Sequence, residues 1–205
     1  MGLIKASPTA DLVAVDPPIG LHPQIFAQKA TTLVLKEKVW SWTGDDFSVK
    51  DIEGRDVVKC HGKAWSLRER KVISDADDKF LFGIRNKILT IHTTFIGEDE
   101  SEKELFRIRK RLSLGAKMKA TFLNPSNGQP ITLLLKGDFW GGSADISIED
   151  GPIIAQISRK LLNAREWLVD QQTYFVTIAP GVDLALMAAM CICFDEAMNK
   201  KAPGA

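Results

Sequence analysis

The stretch 105–122 (LFRIRKRLSLGAKMKATF) concentrates the side chains best suited to chemistry, and that chemistry is the binding of anions. Successive side chains of a β-strand point to opposite faces, so Arg107, Arg109 and Arg111 share one face while Phe106 and Ile108 take the other. After Gly115, Lys117 and Lys119 repeat the alternation, and Lys110 adds a further cation. Several guanidinium and ammonium groups this close together match polyphosphorylated lipid headgroups, each contributing ~1 kcal/mol near an anionic surface. Glu98, Asp99, Glu100, Glu102 and Glu104 immediately precede the stripe, and the competing reading is a solvated face that they neutralise.

Residue types suited to catalysis are present but not assembled. His22, His61 and His92 are far apart, and Cys60 and His61, being adjacent, would point to opposite sides of a strand. No nucleophile and base are paired that way. The chain has no G-x-S-x-G elbow, phosphate loop or zinc-ligand spacing. Asp75, Asp77 and Asp78 fail the calcium-loop pattern because Lys79 stands where a ligand belongs and the loop glycine is absent, so they read as a hairpin turn. Trp40, Trp42, Trp65, Trp140 and Trp167 suit core and loop cover better than a ligand platform. The expectation is a chain without catalytic residues, metal or cofactor.

Short runs rich in β-branched and aromatic residues must position the stripe. They fall at 31–36, 47–50, 56–59, 71–74 and 79–84, and then at 104–110, 117–123, 131–136, 144–148, 153–158 and 174–178. Turn residues separate them about every 8 to 12 positions, the spacing of an all-β sandwich or barrel. Three segments, 47–59, 72–84 and 146–157, repeat a pattern of strand, acidic turn and strand, which suits a duplicated hairpin.

The run 184–194 (LALMAAMCICF) contains no polar side chain, so a helix there is apolar all round and must be enclosed. From Asp183 to Asn199 it would span roughly 25 Å, yet the run falls short of the ~18 to 20 residues that cross a bilayer. A closed sheet of about a dozen antiparallel strands leaves an interior wider than its own side chains fill, and this helix can fill it. The expected fold is therefore mainly β, a closed antiparallel barrel of about twelve strands around a central hydrophobic C-terminal helix. Asp183 would cap that helix, and Leu184, Leu186, Met187, Met190, Ile192 and Phe194 would plug the barrel.

The string YFVTIAPGVDLA at 174–185, running into an apolar helix closed by Phe194, Asp195 and Glu196, resembles the carboxy-terminal signature of the LURP-one-related family. That family belongs to the Tubby C-terminal-like superfamily, with Tubby proteins and phospholipid scramblases. FSVKDIEG at 47–54, LRERKVIS at 67–74, Asp138-Phe139-Trp140 and IIAQISRK at 153–160 agree in order. The resemblance implies a twelve-stranded barrel around a C-terminal helix, and phosphoinositide binding as in Tubby domains. Gly181 stands where the family often has Asn, a change that a turn before a helix readily accepts. Scramblases carry an acidic calcium-binding segment before their helix, whereas 170–180 holds one acidic residue here. Calcium-dependent scrambling is not expected.

At 205 residues and 45% hydrophobic content the chain suits one large domain that buries about 70% of its unfolded surface. The expected division is a Pro-rich lead-in over 1–30, the barrel domain over 31–199 and a tail over 200–205. The lead-in carries Pro8, Pro17, Pro18 and Pro23, which deny it regular hydrogen bonding and suggest an extended segment, either partly disordered or laid along the domain. With 27 basic and 26 acidic side chains, no long-range charge draws the chain to nucleic acid or anionic lipid, and any such attraction must come from a local patch. The odd number of cysteines, two of them in the apolar run, suits a reducing compartment. The N-terminus lacks a long apolar signal core, and Ala6 breaks the acylation pattern that Gly2 begins. We expect a cytoplasmic monomer, peripheral to the membrane, with phosphoinositide surfaces or other proteins as partners. The alternative is a scramblase-like lipid protein whose C-terminal helix enters the bilayer.

Overall fold

In a computed structural model, residues 12–36, 47–62, 70–87, 92–111, 116–138, 143–158 and 173–199 are described. The alternating runs become β1 (Thr31–Lys36), β2 (Phe47–Asp51), β3 (Asp56–Gly62), β4 (Arg70–Asp75), β5 (Phe80–Asn86), β6 (Thr94–Glu98) and β7 (Glu104–Lys110). They continue as β8 (Ala116–Leu123), β9 (Pro130–Asp138), β10 (Ser143–Ile148), β11 (Ile153–Ser158) and β12 (Thr173–Ile178), followed by the helix α1 (Leu184–Asn199). Every strand pairs antiparallel with its neighbours in sequence, and β1 pairs with β12 from Thr31 opposite Ile178 to Lys36 opposite Thr173. That last ladder closes the barrel and removes both edges.

Inward residues of the strands form one buried core with α1. Leu33, Val58, Ile73, Phe82, Ile108, Leu135, Ile146 and Val176 are fully buried beside Leu186, Met187, Met190 and Phe194. Leu184 and Ile192 are buried as well. At 16 residues α1 is an interior plug, and among the described residues no helix is long and apolar enough to cross a membrane. One strand carries no periodic signal. All five residues of β6 are buried, including Ile96 and Glu98 on the outer wall, so its sequence shows no alternation.

Three hairpin turns at the end where α1 begins share one chemistry. The Asp51 Oδ1 accepts the N–H groups of Glu53 and Arg55 at 2.9 and 3.0 Å. Asp75 accepts from Asp77 and Lys79 in the same way, and Asp99 from Ser101 and Lys103. Each carboxylate satisfies turn amides that no strand pairs. The acidic turns of β2–β3 and β4–β5 are therefore hairpins, as their sequence indicates, and β6–β7 repeats the device.

The proline-rich lead-in does more than precede the domain. Between Val15 and Ala27 it crosses the mouth of the barrel, where Val15 N–H donates to Pro180, Ile19 N–H to Gly181 and Ala27 N–H to Val182 at 2.8–2.9 Å. Asp183 is the centre of this seam. Its Oδ1 accepts Leu186 N–H at 3.0 Å, the cap of α1, and its Oδ2 accepts Leu21 and His22 N–H at 2.9 and 3.0 Å. Burial pushes the Asp183 carboxyl above the usual carboxylate range, although the three amides and nearby His22 pull it down. Gly181 has a φ of 83°, and a Cβ there would lie 2.4 Å from the Val15 carbonyl oxygen. The turn alone would accept Asn, but the strap leaves no room for one in this chain.

Candidate anion-binding site

The β7–β8 ladder sets the stripe on the outer wall. Phe106, Ile108, Met118, Ala120 and Phe122 are buried on the inner face, which forces Arg107, Arg109, Lys119 and Thr121 outward. The register places Arg107 opposite Thr121 and Arg109 opposite Lys119. Together with Arg111, Lys110 and His92 they line an open cleft of about 880 Å³, rimmed by Glu104 and Glu149.

Two of these cations are already engaged by carboxylates. Arg107 makes a two-pronged contact with Glu104, Nε to Oε1 at 3.0 Å and Nη2 to Oε2 at 2.8 Å, and these hydrogen bonds hold its guanidinium still more firmly protonated. Lys119 lies 3.3 Å from both carboxylate oxygens of Glu149. Arg109 and Arg111 have no carboxylate partner among the described residues. Like charges directly opposite on neighbouring strands destabilise a sheet, so Arg109 across from Lys119 is a local cost that an anion between them would relieve. Guanidinium groups suit phosphate because their planar forks bind two oxygens at once.

Lys110 plays a different part. It lies on the inward alternation at the barrel rim, and its Nζ donates to the Ala197 carbonyl at 3.2 Å. A cation there satisfies a free carbonyl of the last turn of α1 and complements the helix dipole. Lys117 is the extra residue of a bulge between Ala116 and Met118, and its side chain lies outside the described residues. So do Trp40, Trp42, Trp65, Trp140, Trp167 and the tail over 200–205.

Glu149 and His92 were not marked by the stripe. Glu149 reaches the cleft from the β10–β11 turn, where its N–H donates to the Thr132 carbonyl on β9. Only strand order brings it beside Lys119. The three histidines stay apart: His22 stacks on Phe82 with centroids 5.8 Å apart, His61 lies 3.6 Å from Asp78, and His92 lines the cleft. Cys60 is buried behind half-exposed His61. Among the described residues no group of three or more His, Cys, Asp or Glu could hold a metal ion.

A family model described as LURP-one-related matches residues 31–195. Protein LURP-one-related 10 of Arabidopsis thaliana is 24% identical over 184 residues, covering 86% of this chain and 94% of that protein. Protein LURP-one-related 15 of the same plant is 23% identical over 197 residues, covering 93% of this chain and 88% of that protein. An X-ray structure of an Arabidopsis thaliana protein superposes with a TM-score of 0.61 at 20% identity, covering 88% of this chain and 98% of that one. At that identity the likeness extends to the fold.

Proposed function

The chain belongs to the LURP-one-related family, and on that premise we propose that it is a non-enzymatic binding protein that holds polyphosphorylated headgroups of phosphoinositide membranes in the β7–β8 cleft. The observation that carries this reading is Arg109 set across from Lys119, with Arg111 beyond it and no carboxylate on either arginine among the described residues. A sheet tolerates such a pairing at a cost, and a bound phosphate removes the cost. The barrel interior is filled by α1, which leaves the outer wall as the working surface.

Sedimentation of the full chain with phosphatidylcholine vesicles, with and without phosphatidylinositol bisphosphate, tests this at physiological salt. Binding is expected only to the doped vesicles and to weaken as salt rises. Arg109→Glu with Arg111→Glu should lower that affinity by at least about tenfold, since each cation contributes ~1 kcal/mol and reversal adds repulsion. Equal binding to undoped vesicles, or full binding by the double variant, rejects the cleft as the site.

The rim carboxylates compete with the ligand. Glu149→Gln frees the Lys119 ammonium and should tighten binding to doped vesicles by roughly two- to fivefold, the worth of one exposed ion pair. The same vesicle titration checks it, and weaker binding would assign Glu149 to the ligand site itself.

A further inference from the structure

The cleft offers a membrane headgroup its charge, and the wall beside it also carries an apolar side chain. Four large hydrophobic side chains are exposed among the described residues: Val13, Ile52, Leu123 and Ile153. Leu123, 61% exposed, ends the outward row of β8 that begins with Lys119 and Thr121, both of which line the cleft. At about 3.3 Å per residue it stands roughly 13 Å from Lys119 along the strand.

The chain just beyond Leu123 differs from its counterparts. The other described hairpin turns at this end carry carboxylates, on Asp51 and Glu53, on Asp75, Asp77 and Asp78, on Asp99, Glu100 and Glu102, and on Glu149 and Asp150. The β8–β9 turn, NPSNGQ at 124–129, has no charged side chain. It is also firmly held. Asn124 is fully buried, its Nδ2 donates to the Pro18 carbonyl at 3.0 Å and to Ser126 Oγ at 2.9 Å, and its Oδ1 accepts Gly20 N–H at 3.4 Å.

Shape selects the partner. A barrel wall curves around its circumference but runs nearly straight along a strand, so a flat surface meets two neighbouring strands along their length. Laid against β7 and β8, such a surface touches Arg109, Arg111, Lys119, Thr121 and Leu123 together. The two carboxylates beside the row, Glu104 and Glu149, are occupied by Arg107 and Lys119. A soluble polyphosphate would need the cations but would leave Leu123 in water.

We propose that Leu123 is the apolar foot of a bilayer-docking strip, entering the boundary between headgroups and acyl chains while Arg109, Arg111 and Lys119 hold phosphate above it. This rests on the cleft reading and adds an apolar contact with the bilayer to it. Basic rows that carry an apolar residue bind interfaces through both terms, buried apolar area and attraction to anionic lipid.

Leu123→Cys, labelled with an environment-sensitive dye, gives a direct readout, because Cys60, Cys191 and Cys193 are buried and leave position 123 as the accessible thiol among the described residues. On phosphatidylcholine vesicles containing phosphatidylinositol bisphosphate the dye should shift to the blue and be quenched by lipids spin-labelled in the upper acyl chain. Soluble inositol trisphosphate should leave it unchanged. Leu123→Asn should weaken vesicle binding at least about fivefold, from loss of a partly inserted leucine, without altering inositol trisphosphate affinity. A dye that stays in water on bound vesicles, or unchanged vesicle binding by Leu123→Asn, overturns the foot and leaves the cleft standing. Equal weakening toward vesicle and soluble headgroup also overturns it, since Leu123 would then act on cleft shape. Binding of inositol trisphosphate without binding of vesicles would assign the cleft to a free polyphosphate, and absence of both would overturn the cleft and the foot together.

Discussion

Met187→Asp is expected to yield no folded protein. Met187 is fully buried in the first turn of α1, within the core that the helix shares with the barrel wall. The substitution removes about 2 kcal/mol of apolar burial and leaves a small cavity. It also encloses a carboxyl group with no partner, which must either stay charged at a cost of several kcal/mol or take up a proton at a cost of about 4 kcal/mol at neutral pH, set by the distance of that pH above the ordinary carboxyl pKa. The sum approaches the whole stability of an ordinary domain, about 5 to 15 kcal/mol. Expression should give insoluble material, or soluble material without a cooperative thermal transition. Met187→Leu, nearly equal in volume, should fold with a loss below about 1.5 kcal/mol. A soluble Met187→Asp chain that melts cooperatively near the wild-type temperature would show that α1 is not the plug of the barrel.

The parts of the architecture that are legible in the sequence are those whose signal is local. An unbroken apolar run can only be enclosed, and strands with one wet face alternate, so α1, β7 and β8 announce themselves. The cations of the stripe follow from the same alternation, and the structure puts Arg107, Arg109 and Lys119 where it indicates. β6 is hidden because Ile96 and Glu98 are buried on the outer wall, which erases the alternation. The Asp99 turn uses the same amide bonds as Asp51 and Asp75, but it lies within the acidic run 98–104, where charge masks turn chemistry. Lys110 reads as one more cation of the stripe, although its ammonium serves the end of α1. Glu149 arrives through strand order, and no spacing in the sequence relates it to Lys119. The prolines of the lead-in allow a segment laid along the domain, but its partners at 180–183 are more than 150 residues away and no local signal points to them.

That long-range seam gives the second large effect. Asp183→Ala removes one acceptor from three backbone donors, the Leu186 amide inside α1 and the Leu21 and His22 amides of the strap. Loss of a helix cap costs about 1 kcal/mol, and each buried or half-buried donor left without an acceptor costs about 1 to 3 kcal/mol. Removal of a carboxylate that burial disfavours offsets part of this, which leaves a net loss of roughly 3 to 5 kcal/mol. For a domain of this size about 2 to 4 °C of melting temperature follows each kcal/mol, so the midpoint should fall by roughly 10 °C. Asp183→Asn keeps a single carbonyl oxygen and turns an amide NH2 toward N–H donors, so it should satisfy cap or strap but not both, and melt between the two. The strap's share can be separated through Gly20, where a Cβ would lie 2.1 Å from the Asp183 Cβ. Gly20→Ala should lift the strap from Asp183, and Asp183→Ala in that background should then cost little more than the cap, because the two changes break the same contacts. Fully additive losses in this double-mutant cycle would mean that Asp183 serves α1 alone, and that the strap is held by its backbone ladder to Pro180, Gly181 and Val182.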